Sequence, residues 1–247
     1  MDRRSFIKTI GGSGLVIAAS GFSLSGCDQM PESAIAPWNG PPLGLPDREW
    51  MLSYAILAPN PHNRQPWLAD LSKDDEITLF ADPERLLSHT DPFGRQILIG
   101  HGTFLELLDI AAREKGYRTQ ITLFPDGEPA GDSLEIGNMP VARIQLEKDV
   151  NVSSDPLFKD ILKRRSNKEG YEKAYLKAAD VQIMQNIPLP AGQKAGIATN
   201  EADVSPLREF ARRAVLKEIE TPRTLLESIE LTRIGADEIA KNPDGID

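Results

Sequence analysis

From residue 47 onward the chain switches between two hydrophobic periods, and the switches mark its elements. Met51, Tyr54, Ala55 and Ala58 recur at three- and four-residue intervals. That spacing predicts a helix over 47–58, with Asp47 placed to cap it and Pro59 to end it. A polar loop, 59–66, leads into 67–71 and 76–81, two short apolar runs that predict a hairpin across a turn at 72–75. The longest helical pattern is 93–116. Ile97, Phe104, Leu105, Leu108 and Ala111 share one face, widened by Ile99, Leu107 and Ile110, so the helix is expected at the centre of the domain. Gly116 is its stop signal.

Residues 118–124 and 141–147 alternate polar and apolar side chains and read as strands joined by a loop over 125–140. Further helices are expected at 155–163, 174–186, 205–219 and 222–241, with a short strand near 194–199. Hairpins mixed with helices, without a repeated strand–helix–strand unit, predict an α+β fold. The last residues, Pro243-Asp244-Gly245-Ile246-Asp247, read as a turn, and a truncated sequence is expected.

The composition narrows the classes. Of 247 residues, 40% are hydrophobic and 26% charged, with a net charge of −9. Without residues 1–26 the chain keeps 25 basic and 36 acidic side chains. Such a surface repels phosphate backbones, so no nucleic-acid partner is expected. A single cysteine, Cys27, rules out an intramolecular disulfide and a paired-cysteine metal or redox site. His62, His89 and His101 are too scattered for a helical zinc motif, no metal is expected, and no P-loop, dinucleotide fingerprint or nucleophile elbow occurs.

The first 46 residues carry a different message. Asp2-Arg3-Arg4-Ser5-Phe6-Ile7-Lys8 resembles a twin-arginine export motif, with Arg3 and Arg4 as its pair. The apolar stretch 10–24 holds four glycines and is too short for a bilayer span, which takes about 20 apolar residues. Leu24-Ser25-Gly26-Cys27 resembles a lipobox, whose cysteine accepts the lipid. The expectation is a signal peptide over 1–26 and a protein exported by the twin-arginine machinery. It would be held by lipidated Cys27 on the periplasmic side of the bacterial inner membrane, since several acyl chains anchor stably where one does not. Five prolines between 31 and 46 predict a semi-extended tether over 27–46. The domain proper would be 47–247.

Two polar segments are candidates for chemistry. In 58–67, Asn60, His62, Asn63 and Gln65 lie on a path fixed by Pro59, Pro61 and Pro66. Amides offering donors and acceptors together suit the edge of a planar heteroaromatic ring; they equally suit a loop that satisfies its own backbone, which the residues alone favour. In 164–168, Arg164, Arg165, Ser166, Asn167 and Lys168 suit a phosphate clamp, or a solvated basic patch.

Together these segments resemble a family. Residues 58–67 resemble the "APSxxNxQPW" segment of nitroreductases, closest to the "HNTQPW" version of the Acg-like branch. Asp91-Pro92-Phe93-Gly94-Arg95-Gln96 with Gly100-His101-Gly102 resembles that branch's "DPxxRE…GCG", and 164–168 its "RRTNR". Asn60 stands where the family has Ser, Arg64 where it has Thr, and Lys168 where it has Arg. The resemblance implies a sheet-and-helix sandwich with FMN at a dimer interface. Ordinary members carry the arginine segment first. The reversed order here implies a single-chain pseudo-dimer, with a first half at about 47–150 and an incomplete second half at about 151–247. By resemblance, Arg164, Arg165, Ser166 and Lys168 serve the FMN phosphate or ribityl chain, while Asn60, Asn63 and Gln65 lie by the ring.

The expected activity is that of an FMN-dependent oxidoreductase, passing electrons from an unknown donor to a small electron-poor acceptor. No catalytic side chain is required and none is assigned. The alternatives are an envelope protein that stores or shields FMN, and a lipid-anchored scaffold without cofactor.

Overall fold

The computed structural model describes residues 30–128, 136, 139–172, 174–189 and 192–246. The export and lipidation residues Arg3, Arg4 and Cys27 lie outside them. The described residues divide into two compact units, one comprising residues from 30 to 166 together with those from 226 to 246, the other those between 167 and 225.

In the first unit, residues 30–46 are not the extended tether expected. Glu32–Ile35 (α1) and a 3-10 turn, Ala36–Asn39, coil this segment and lay Trp38 against the core. Asp47–Ala55 (α2) follows, with Pro46 rather than Asp47 at the cap position. Asp47 does something else: its carboxylate accepts from the Tyr117 hydroxyl at 2.9 Å and pairs with Lys115 at 3.2 Å. Partial burial pushes its pKa up, but these two donors outweigh that and hold it below the ordinary value.

Trp67–Asp70 (β1) and Glu76–Ala81 (β2) form the expected hairpin, paired Trp67 with Ala81 and Asp70 with Thr78. Arg95–Glu114 (α3) begins two residues later than the apolar pattern, because Gly94 turns at φ +63 and the Asp91 carboxylate receives the Ile97 amide at 2.9 Å. It ends where Gly116, at φ +73, reverses the chain into Tyr117–Leu123 (β3). With Pro140–Lys148 (β4) the strands make an antiparallel sheet in the order β1-β2-β4-β3, and the fold is α+β as expected.

Period explains the packing. Ile77 and Leu79 of β2, and Ala142, Ile144 and Leu146 of β4, point to one face of the sheet. There they meet Phe104, Leu108 and Ala111 of α3, and Met51, Leu52 and Ala55 of α2. The helix α3 is buried on one side only: Ile99, expected in its apolar face, is 59% exposed. A second, smaller cluster joins Ala81, Leu87, Ile97 and Val141, with Leu231 packed on it.

The remaining elements depart further from the pattern. The expected helix 155–163 is only a 3-10 segment, Phe158–Lys163. The expected helix 222–241 is two, Pro222–Glu230 and Ala236–Lys241. Residues 231–233 leave the helical path to pair with Ile246, which donates to Leu231 O at 2.9 Å and accepts from Arg233 N at 2.7 Å. In the second unit, Ala178–Gln185 (α4) and Glu201–Glu220 (α5) are helical, and Asn200 caps α5 by accepting the Asp203 amide. The strand expected near 194–199 does not form; the segment is irregular. Continuing the labels, Pro222–Glu230 is α6 and Ala236–Lys241 α7.

Candidate functional site

The loop after α2 is pinned to α3 before it turns. Pro59 O accepts from Thr103 Oγ1 at 2.8 Å, and Gly100 gives Asn60 room: a Cβ at that glycine would stand 3.2 Å from Asn60 Cβ. Asn60 spends its amide internally, donating to Ala58 O at 3.1 Å and accepting the Gln65 amide at 2.7 Å. Between these anchors the backbone is strained. His62, Asn63 and Gln65 all sit at φ +48, a left-handed conformation that costs a non-glycine residue about 1–3 kcal/mol. Three such residues within four positions persist because the neighbouring contacts fix them.

The loop's outer edge is covered by the chain's own residues 243–245. Gln65 Nε2 donates to Pro243 O at 2.8 Å, Arg64 Nη1 to the Asp244 carboxylate at 2.5 Å, and Gly245 N to Asn63 O at 3.3 Å. The three pairs run in opposite chain directions, like one rung after another of an antiparallel strip. Arg64 is also braced by the carbonyls of Glu84 and Arg85. Burial lowers its pKa, against the pull of Asp244, but a guanidinium stays charged.

Of the arginine segment, Arg164 comes to the same end of α2. Its Nη2 donates to Leu57 O at 2.9 Å, and its guanidinium lies 5.5 Å from the Trp38 ring. Arg165 stacks over Trp38 at 3.8 Å and donates to the carbonyls of Leu162 and Arg164. Ser166 is exposed. Asn167 and Lys168 open the second unit, where Asn167 closes a turn with Glu169: its side chain accepts the Glu169 amide and donates to the Glu169 carbonyl.

Two buried side-chain nitrogens in these segments have no hydrogen-bond partner: His62 Nδ1 in the loop and Arg164 Nε in the arginine segment. Unpaired buried donors and acceptors are costly and rare. One falls in each of the two candidate segments, so the residues retain polar capacity suited to a flavin's phosphate, ribityl or ring groups. Among the described residues no group of three or more His, Cys, Asp or Glu side chains could hold a metal.

His101, within the glycine-flanked triplet, is structural. It is fully buried, its Nδ1 2.8 Å from Ile97 O and its ring edge-on to Trp67. Burial lowers its pKa, so the neutral imidazole is favoured.

Sequence patterns missed several participants. Trp38 sat inside a proline-rich run, where a lone tryptophan was the available signal. Arg85, Arg233 and Asp244 gave none, since their meeting depends on contacts between distant segments.

With this geometry in view, the chain can be compared with known proteins. It is 28% identical over 143 residues to the "Putative NAD(P)H nitroreductase Rv3131" of Mycobacterium tuberculosis, a match covering 57% of this chain and 39% of the relative. It is 36% identical over 72 residues to the "Putative NAD(P)H nitroreductase acg" of the same organism, covering 29% of this chain and 22% of the relative. A third, "Uncharacterized protein Rv3127", is 38% identical over 82 residues, covering 30% of this chain and 24% of the relative. The match to the first of these spans about two fifths of that relative's length. No protein-family model matches the chain. The chain is thus similar, at low identity, to proteins of nitroreductase name.

Proposed function

We propose that this chain forms part of an FMN-dependent oxidoreductase of the nitroreductase type, reducing a small electron-poor acceptor. The observation that carries the reading is the hydrogen bond from Arg164 to Leu57 O. It brings the arginine segment to the root of the amide loop, the two motifs the resemblance rests on. The orphaned nitrogens of His62 and Arg164 support it.

In this proposal Arg164 holds the flavin phosphate or ribityl chain, with Arg165 and Ser166 beside it. Asn63, exposed on the loop, and His62 face the ring. Asn60 shapes the loop by its two internal bonds and so acts as a positioning residue. Bound FMN would supply hydride and electron transfer at its ring; the protein binds, orients and shields it.

A second reading, an FMN-storing or FMN-shielding protein, is favoured by one observation: residues 243–245 cover the edge of the loop. Purified protein separates the two. Flavin absorbance bleached by dithionite and by a nicotinamide donor supports the oxidoreductase. Bleaching by dithionite alone supports storage or another donor, and colourless protein that takes up no flavin overturns both.

We propose further that the twin-arginine motif exports the protein and that Cys27 anchors it by lipid at the inner membrane. What supports this is the two sequence motifs in register. No helix among the described residues is long and apolar enough to cross a membrane.

A further inference from the structure

Asp244 is surrounded by more positive charge than it can neutralise. Arg64 Nη1 lies 2.5 Å from one carboxylate oxygen, and Arg233 Nη2 lies 3.1 Å from the other. Arg85 Nη1 stands 3.8 Å away, beyond hydrogen-bond reach, with Asp82 on its other side at 3.6 Å. Three guanidiniums therefore face two carboxylates. The side chains of Arg64 and Arg233 are only 11% and 13% exposed, so solvent screens the surplus poorly. Arg85 Nη1 donates to Arg64 O at 2.9 Å, while Arg233 Nε is buried without a partner.

We propose that Arg64, Arg85 and Arg233 form a binding site for a phosphate-type dianion, which the carboxylate of Asp244 fills in its absence. A carboxylate has two oxygens and one charge. A tetrahedral phosphate brings more acceptors and a second charge, enough to engage Arg85 and the free Arg233 Nε while balancing the cation surplus. The fork geometry of guanidinium suits that ligand better than lysine would.

The site is coupled to the loop by chain connectivity. Asp244 lies between Pro243 and Gly245, whose backbones meet Gln65 and Asn63. An anion that displaces the Asp244 carboxylate loosens these two contacts and uncovers the loop edge. Anion and strip compete for the same arginines, so each weakens the other. The inference goes beyond the flavin reading and does not depend on it.

The test uses the full chain without flavin. Wild type and Asp244→Ala are titrated with sodium phosphate, with sodium chloride at matched ionic strength, and with phenyl phosphate, by calorimetry and by thermal unfolding. Asp244→Ala should bind phosphate saturably, about tenfold tighter than wild type because the internal competitor is gone, and should be stabilised by it where chloride does nothing. Adding Arg233→Ala should abolish the effect. Response to inorganic phosphate alone assigns the site to the free ion, and response to phenyl phosphate as well assigns it to phosphate esters. Equal responses to phosphate and chloride, or indifference to Arg233→Ala, overturn the proposal. Should Asp244→Ala not fold, hydrogen exchange in wild type decides. Phosphate should speed exchange of the Gly245 and Ile246 amides, and unchanged rates there overturn the proposal.

Discussion

Arg164 Nη2 donates to the Leu57 carbonyl at 2.9 Å, joining residues 107 positions apart in the chain. Leu57 is the last turn of the helical region before the amide loop, and its carbonyl is one that a helix end leaves without an internal partner. A half-buried guanidinium that satisfies it is stabilised in turn by the partial negative charge of the helix terminus. Arg164 Nε remains unpaired beside it.

Trp38 holds the other half of this arrangement, with Arg165 stacked 3.8 Å over its ring. Trp38→Ala should cost about 1–3 kcal/mol of unfolding free energy, from lost apolar burial and the lost cation–π contact. Urea denaturation measures it. Trypsin cleavage after Arg165 should also become faster, since the side chain is released; unchanged cleavage and stability would show that the stack does not hold the segment.

The core centres on Phe104, 1% exposed, which meets Trp67 with ring centroids 5.1 Å apart. Phe104→Ala should destabilise the first unit by about 3–5 kcal/mol through lost burial and the cavity left behind. A conservative Phe104→Leu should cost clearly less, and equal costs for both would place the residue outside the core.

These core positions were legible from sequence because the sheet and α3 keep strict periods. Ile77, Leu79, Ile144 and Leu146 alternate, and Phe104, Leu108 and Ala111 recur helically, so local pattern and burial agree. Ile99 fits the same apolar pattern yet faces solvent, because periodicity gives the direction of a side chain and not what covers it. The single helix expected over 222–241 fails for a different reason. Residues 231–233 are drawn out of it by Ile246, a partner no local window includes. The candidate residues were likewise identifiable while their partners were not. Nothing near Arg64 in sequence announces Asp244, and the bland expectation that the loop's amides serve its own backbone holds for Asn60, whereas the Gln65 side chain reaches Asn63 Oδ1 and Pro243 O instead.

His101 gives the stability a pH dependence. Burial depresses its folded-state pKa below the unfolded value of about 6.5, so the unfolded chain binds the extra proton first. Its contribution is fully present above pH about 6.5 and is lost as pH falls toward the depressed folded value. Unfolding free energy measured from pH 7.5 to 5 should therefore decline on acidification, and His101→Gln should flatten that decline. A decline of equal slope in the variant would assign it to other groups.

Membrane attachment is testable without reference to chemistry. In bacteria expressing the full chain, Cys27→Ala should move the protein from the membrane fraction to the soluble periplasmic fraction. Replacing Arg3 and Arg4 with lysine should keep it in the cytoplasm. Membrane retention by Cys27→Ala would contradict lipid anchoring at that residue.

The central claim is that the arginine segment and the amide loop serve one flavin. FMN titration of the purified chain, followed by quenching of flavin fluorescence, tests it most directly, with Arg164→Ala measured alongside. The account predicts saturable binding to wild type and affinity weaker by about tenfold or more in the variant, the loss expected for a charge-assisted contact. Absence of saturable binding, or equal affinity in the two proteins, would contradict it.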